Sequence, residues 1–194
     1  MAIDKADWHW DDAEKLYRKT NNVEGKLTEE QQEEIWLLAS NHIGLFLRWL
    51  IDRGFNELID ESDEEACAQV REGKMSGAEY LMHILDGAFC ENDIKPNVRD
   101  FAVNYYDKQY FNDYGKTCPA KDLCVPCYSF ISGDDDYNAL RPLIDEAYEE
   151  YCREKKQNQC KPTAGFHWFC LSFIKSLTIF YTLFFYVRIF SAMS

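Results

Sequence analysis

Residues 26–54 read KLTEEQQEEIWLLASNHIGLFLRWLIDRG, and this stretch predicts one long helix. Thr28 followed three residues later by Gln31 is the pattern of a capping box, in which each residue's side chain bonds the other's backbone N–H. Acidic residues fill the first turns and Arg53 lies in the last turn, which is the arrangement that the helix dipole favours. Gly54 then predicts the end of the helix.

The rest of the chain also carries helix patterns and no convincing strand. Ser76 with Glu79 forms a second capping box, and Pro96 is suited to a first helical position. We therefore expect an all-α fold, a single helical domain of about five to six helices over residues 1–160. The other predicted helices cover residues 8–20, 60–73, 76–87, 95–115 and 134–156.

The chain is strongly acidic, with a formal net charge of −13. Residues 161–194 contain three basic and no acidic residues, so residues 1–160 hold 18 basic against 34 acidic residues, a net charge of −16. Nucleic-acid binding requires clustered Lys and Arg, so no nucleic-acid partner is expected. A body this acidic attracts basic partners instead.

Two acidic runs are the candidate binding residues. Most such runs are solvated helix faces, but they can also dock a basic protein, since complementary charge speeds association. The first run is Glu29, Glu30, Glu33 and Glu34, and the second is Asp60, Glu61, Asp63, Glu64 and Glu65.

His42 lies in the middle of the long predicted helix, on its apolar side. At about 100° per residue, its face is shared with Ile35, Leu38, Leu45, Phe46 and Trp49. We interpret His42, Gly44 and Trp49 as structural, with Gly44 allowing a neighbouring backbone to come close. A metal or catalytic role for His42 needs partners on its face, and His9 and His83 are remote in sequence. The chain also lacks a phosphate loop, a G-x-S-x-G elbow and an H-E-x-x-H motif, so no catalytic residue is assigned and an enzyme is not expected.

Cys118, Cys124 and Cys127 are the candidate metal ligands. One C-x2-C pair is half of a structural zinc site, and the fourth ligand would be Cys90, Cys152 or Cys160. Reversible disulfide chemistry and ordinary loop thiols are the alternatives. The N-terminus has no apolar signal segment, so a cytoplasmic location with reduced thiols is expected, and no cofactor other than this alternative zinc.

Residues 161–194 form a hydrophobic tail of different composition. Residues 166–187 are long enough to span a bilayer. Lys175 costs about 2.5–3.5 kcal/mol at the centre of such a span, whereas each Leu, Ile or Phe returns only about 0.3–0.6. Three interpretations stay open: an anchor in the inner membrane, a helix packed on the body or a partner, and an aberrant extension.

Four motifs in order also resemble one family. HIGLFLRWLIDRG, EGKMSGAEYLMHILDG, FAVNYYDKQYFNDY and YNALRPLIDEAYEEY, with the N-terminal Trp-His-Trp, are similar to a family of small acidic bacterial proteins of unknown function. The resemblance covers residues 8–152 and ends shortly after Tyr151. It implies a helical cytoplasmic domain without established activity or catalytic residues. Members of the family look like immunity proteins found with bacterial polymorphic toxins.

These observations predict a non-enzymatic acidic protein-binding domain. A basic protein, such as a cognate toxin that the domain would neutralise as an immunity protein, is the expected partner. One alternative is a metal-binding or redox-responsive regulator centred on the cysteine loop. Another is a helical protein held at the membrane by residues 166–187.

Overall fold

Helices make up most of this computed structural model, which describes residues 1–58, 61–117 and 126–159. The all-α prediction is confirmed. Within those ranges the helices are α1 (Trp10–Asn21), α2 (Glu29–Asp52), α3 (Glu61–Arg71), α4 (Gly77–His83), α5 (Pro96–Tyr105), α6 (Phe111–Thr117) and α7 (Asp134–Gln159).

Both predicted capping boxes are present. Thr28 Oγ1 accepts the Gln31 backbone N–H at 3.2 Å, and Ser76 Oγ accepts that of Glu79 at 3.1 Å. In each box the side chain of the later residue also accepts the N–H of the capping residue. The two boxes fix where α2 and α4 begin, because each satisfies two backbone donors that a helix start leaves open.

Two short strands correct the expectation that the chain has none. β1 (Ala2–Lys5) pairs antiparallel with β2 (Ala88–Cys90), with a register irregularity between Ala2 and Asp4. Segments of four and three residues are too short to show the period-two alternation by which strands are predicted. The pairing fixes the N-terminal segment on the body and leaves the Asp4 side chain buried.

The contact between α2 and α4 is backbone against backbone. A methyl group added at Gly44 would lie 2.6 Å from the Gly77 carbonyl carbon, inside any acceptable contact distance. Gly44 therefore has the close backbone neighbour that the sequence predicts. Since β2 follows α4 in the chain and pairs with β1, this crossing also sets where β1 lies relative to α2.

A π-helical turn, Tyr106–Tyr110, joins α5 to α6 in place of the single helix predicted over 95–115. Both terminal tyrosines of the turn are buried, and their rings stack with centroids 4.9 Å apart. Such turns shift the face on which side chains project, and they are frequent at functional sites.

The aromatic core lies on the inner side of α2. Trp49 is fully buried, and its indole N–H donates to Asp145 Oδ1 of α7 at 2.7 Å. A buried indole N–H needs such an acceptor, since an unpaired donor is costly. The other rings around this core include Phe46, Phe89, Phe101 and Tyr110.

Residues Met1–Glu149 form one compact unit, and the second unit begins at Glu150. The described part of the second unit, up to residue 159, is helical. Within the described ranges, no helix combines the length and apolarity needed to cross a bilayer. The predicted membrane segment 166–187 lies outside those ranges, and the boundary after residue 160 stays a prediction.

Candidate functional site

Three polar side chains from distant parts of the sequence meet beside α2. Asp4 of β1 lies between two histidines: its Oδ1 is 2.8 Å from His9 Nε2, and its Oδ2 is 3.3 Å from His42 Nε2. The two imidazole rings lie edge to face with centroids 4.4 Å apart. We call Asp4, His9 and His42 the polar centre.

Local structure explains how each side chain reaches the polar centre. His42 lies in the middle of α2 and is fully buried. His9 directly precedes α1, at the end of a short 3-10 turn, Ala6–Trp8. That turn is tied to the β2 side by the Ala6 N–H, which donates to the Gly87 carbonyl at 2.9 Å.

Two tyrosines complete the hydrogen bonding. The Tyr106 hydroxyl donates to Asp4 Oδ2 at 2.8 Å, and the Tyr128 hydroxyl lies 2.8 Å from His9 Nδ1. If His9 Nε2 carries its proton toward Asp4, Nδ1 accepts from Tyr128, so one tautomer satisfies both contacts. Asp4 then accepts four hydrogen bonds, which come from His9, His42, Tyr106 and the Lys5 backbone N–H.

His42 forms hydrogen bonds through its backbone carbonyl and its Nε2 atom, but its Nδ1 atom is left unpaired within the described residues. Its backbone carbonyl accepts the Tyr110 hydroxyl at 2.5 Å. Its Nδ1 atom is buried and has no hydrogen-bond partner within the described ranges. A buried polar atom is normally paired, so this imidazole can accept one more hydrogen bond at Nδ1.

The charge state of the polar centre follows from burial and these contacts. Burial alone would raise the pKa of Asp4, but the hydrogen bonds from His42 and His9 hold this pKa well below its usual range. Burial lowers the pKa of His42, and the hydrogen bond to Asp4 only partly opposes that effect. Burial, together with the Asp4 charge, raises the pKa of Tyr106 far above its usual value. At neutral pH the polar centre therefore combines a carboxylate, a neutral His42 and a neutral tyrosine.

A cleft of about 550 Å³ opens beside the polar centre. Asp4, His9 and Tyr106 contribute to its wall, along with Phe111 from α6. His9 keeps 16% of its side chain exposed, whereas His42 has none. A solute in the cleft would therefore meet Asp4 and His9 before His42.

Sequence reasoning missed this arrangement. The sequence analysis treats His9 as too remote from His42 to be its partner, and this prediction is wrong, since the two rings are in contact. The sequence did contain one indication of the polar centre. An acidic residue, Asp4, lies near His9 in the N-terminal segment, and His42 lies on the apolar face of α2. Only the β1–β2 pairing brings Asp4 to them.

The acidic run on α2 is exposed. Glu29, Glu30 and Glu33 lie in its first turns and form no ion pair within the described ranges. Glu34 is also exposed, but its carboxylate accepts the Tyr17 hydroxyl at 2.8 Å. The run therefore presents three exposed carboxylates that form no ion pair within the described residues, although Glu30 also hydrogen-bonds Thr28 at the helix start.

The second acidic run is divided. Glu64 and Glu65 are exposed on α3, but Asp63 is 5% exposed and is not available as a contact residue. The prediction that Asp63 is a contact residue is therefore wrong, because its side chain faces the buried side of α3. Asp60 and the Glu61 side chain lie outside the described residues.

The two runs do not lie side by side. Arg71 at the end of α3 donates to the Ile51 carbonyl, and Cys67 contacts Asn56, so α3 lies by the C-terminal end of α2. The α2 run occupies the opposite end of that helix.

For the cysteine loop, Cys118 and Cys124 fall outside the described residues. Cys127 is buried, with its Sγ 3.1 Å from Ser129 Oγ. The cysteine zinc site therefore stays a prediction.

Residues 2–126 match a family described as a domain of unknown function, DUF7832. Because the match covers more than half of the chain, the chain belongs to this family. The matched region includes Asp4, His9, His42 and Tyr106. It begins and ends earlier than residues 8–152, over which the motifs resemble the family. No curated protein and no solved structure matches the chain.

Proposed function

We propose that this family member is a non-enzymatic protein-binding domain that contacts a basic partner through the α2 acidic run, Glu29, Glu30, Glu33 and Glu34. The observation that supports this proposal is the contrast between carboxylates that form ion pairs within the fold and carboxylates that do not. Asp145 is bonded to Trp49 and Arg53, whereas the first three residues of the α2 run have no ion-pair partner in the described part of the chain.

Charge gives such a surface its selectivity. With a net charge of −13, the chain repels acidic proteins and attracts basic ones. Unpaired carboxylates at the end of a helix can approach a partner without first breaking an internal ion pair. Complementary charge of this kind acts mainly on the association rate and on the choice of partner.

The finer proposal is that the partner is a cognate toxin and that the domain neutralises it by occlusion, as an immunity protein. Its support is the resemblance to immunity-type proteins together with the acidic surface. The domain would work in the cytoplasm and meet the toxin there. Glu64 and Glu65 would form a second, separate contact.

Comparative capture from a lysate of the source cell tests the binding proposal. The full chain is used as bait in three forms: wild type, a triple charge reversal of the α2 run (Glu29→Lys, Glu30→Lys, Glu33→Lys), and a matched reversal on α7 (Glu146→Lys, Glu149→Lys, Glu150→Lys). Both variants change the net charge equally. Mass spectrometry identifies proteins that salt elutes.

We expect one basic protein to be retained by the wild type and the α7 variant, and to be lost or to associate much more slowly with the α2 variant. The α2 reversal also removes favourable helix-dipole interactions of about 0.3–1 kcal/mol each, so circular dichroism must show that it is folded. Equal retention by both variants would contradict the assignment of this surface. Retention of no specific protein would contradict protein binding itself.

A further inference from the structure

We propose that the polar centre, Asp4, His9 and His42, binds one divalent transition-metal ion through a carboxylate oxygen and two imidazole nitrogens. This site is distinct from the acidic surface on α2 and from the cysteine loop. It rests on an arrangement of side chains that the fold brings together from three separate elements.

The spacing of the donor atoms fits one ion. One ligand atom from each of the three residues lies within 4.8 Å of the other two. Ligands about 2.0–2.2 Å from a tetrahedral ion are separated from one another by about 3.3 Å. His42 Nε2 already lies 3.3 Å from Asp4 Oδ2, and His9 Nε2 lies 2.8 Å from the other carboxylate oxygen, Oδ1. Side-chain rotation would bring both imidazoles to the ion that one of these oxygens binds.

The donor set selects the class of metal. Two imidazoles and one carboxylate suit zinc, iron, cobalt, nickel or copper in the divalent state. Calcium and magnesium prefer shells made of oxygen ligands, and the three residues supply oxygen only through Asp4. The proposed ligand is therefore a transition metal.

Hydrogen bonds around two of the three proposed ligands, His9 and Asp4, match those that support metal ligands, whereas His42 Nδ1 has no such partner within the described ranges. A ligating histidine usually bonds its second ring nitrogen to another group, and ligating carboxylates are held in the same way. His9 Nδ1 is next to the Tyr128 hydroxyl, and Asp4 accepts the Tyr106 hydroxyl. These contacts hold the His9 ring and the Asp4 carboxylate in the orientation that ligation requires.

An ion also has a path to the site. The cleft beside Asp4 and His9 reaches both residues, and His9 keeps 16% of its side chain exposed.

Zinc titration of the full chain tests this site against the cysteine loop. The protein is prepared without a histidine tag, freed of metal with a chelator, and titrated with Zn²⁺ by calorimetry. Cobalt(II) absorption then reports the type of ligand, because thiolate ligation adds a near-ultraviolet charge-transfer band. The variants are Asp4→Asn, His9→Ala and the double variant Cys118→Ser/Cys124→Ser, with His83→Ala as a matched control at an exposed histidine.

We expect one equivalent of Zn²⁺ to bind the wild type, His83→Ala and the cysteine double variant with similar affinity, and cobalt to show no thiolate band. Asp4→Asn and His9→Ala should lose stoichiometric binding while their far-ultraviolet circular dichroism stays that of a folded helical protein. His9 is partly exposed, and Asn has the same shape as Asp, so we expect both variants to remain folded.

Two results would overturn the site: no stoichiometric binding by the wild type, or binding that survives in Asp4→Asn and His9→Ala but disappears in the cysteine double variant. Neither result bears on capture of a basic protein by the α2 run. The metal proposal and the proposed function can therefore fail separately.

Discussion

Gly44 of α2 and Gly77 at the start of α4 are in direct backbone contact where the two helices cross. Neither position has room for a Cβ atom, and the atoms that would clash are backbone atoms, which cannot rotate away. The contact also has a consequence at a distance. It sets the position of β2, and through the β1–β2 pairing it sets the position of Asp4 beside His42.

Replacing Gly44 by Ala should destabilise the protein by at least about 1–3 kcal/mol, the usual cost of overpacking a tight core. Gly77→Ala should have a similar cost for the same reason. Urea unfolding followed by circular dichroism measures both. Gly133→Ala is the control, because a Cβ at Gly133 meets nothing within 4 Å. Equal stability of all three variants would show that the helices do not cross this closely.

Removing the Tyr106 hydroxyl should weaken metal binding by about 10–100-fold, the typical effect of deleting a group that orients a ligand. Tyr106→Phe keeps the ring and its packing but loses the hydrogen bond to Asp4. Tyr105→Phe is the control, since its hydroxyl bonds Asp113 instead. Zinc affinity is read by calorimetry. An unchanged affinity in Tyr106→Phe would mean that this hydroxyl does not position Asp4.

Asp145 should make the stability of the protein depend on pH in the acid range. Burial would raise its pKa, but the hydrogen bonds from Trp49 and Arg53 outweigh burial and lower it. Its contribution is therefore complete above the unfolded-state pKa of about 3.9. That contribution is lost as the pH falls toward the lower folded-state pKa.

The variant Asp145→Asn should be less stable than wild type by about 1.5 kcal/mol at neutral pH, the scale of a hydrogen bond to a charged group. The difference should shrink as the pH falls below about 4. Denaturant unfolding at a series of pH values measures it. Glu149→Gln, at an exposed position in the middle of the same helix, should show neither effect. A difference that grows in acid would contradict the assigned sign.

The capping box of α2 should contribute about 0.5–2 kcal/mol to stability, the usual cost of replacing such a cap by Ala. Thr28→Ala removes the acceptor of the Gln31 N–H. Thr20→Ala, at an exposed position of α1, is the comparison. Thermal unfolding should show a lower midpoint for the first variant only, and equal midpoints would mean that the box is not formed in solution.

Local chemistry made part of this fold predictable. The boxes at Thr28 and Ser76 depend on residues three positions apart, so the sequence pattern contains the whole interaction. The close approach at Gly44 was predictable for a related reason: glycine inside an apolar helix face is costly unless a neighbour needs the space.

The polar centre was not predictable in this way. Asp4 and His42 are 38 residues apart, and Asp4 and Tyr106 are 102 apart. These contacts depend on a strand pairing too short to predict and on the π-helical turn after Tyr105, which no pattern in the sequence indicates. The same limit explains Asp63, whose burial depends on how α3 packs and not on its acidic neighbours.

X-ray absorption at the zinc edge, on the tag-free full chain loaded with one equivalent of zinc, tests the metal proposal most directly. We predict a first shell of nitrogen and oxygen only, at about 2.0–2.2 Å, with the outer-shell scattering of two imidazoles from His9 and His42. A zinc–sulfur shell at about 2.3 Å, or a shell without imidazole, would contradict binding at Asp4, His9 and His42.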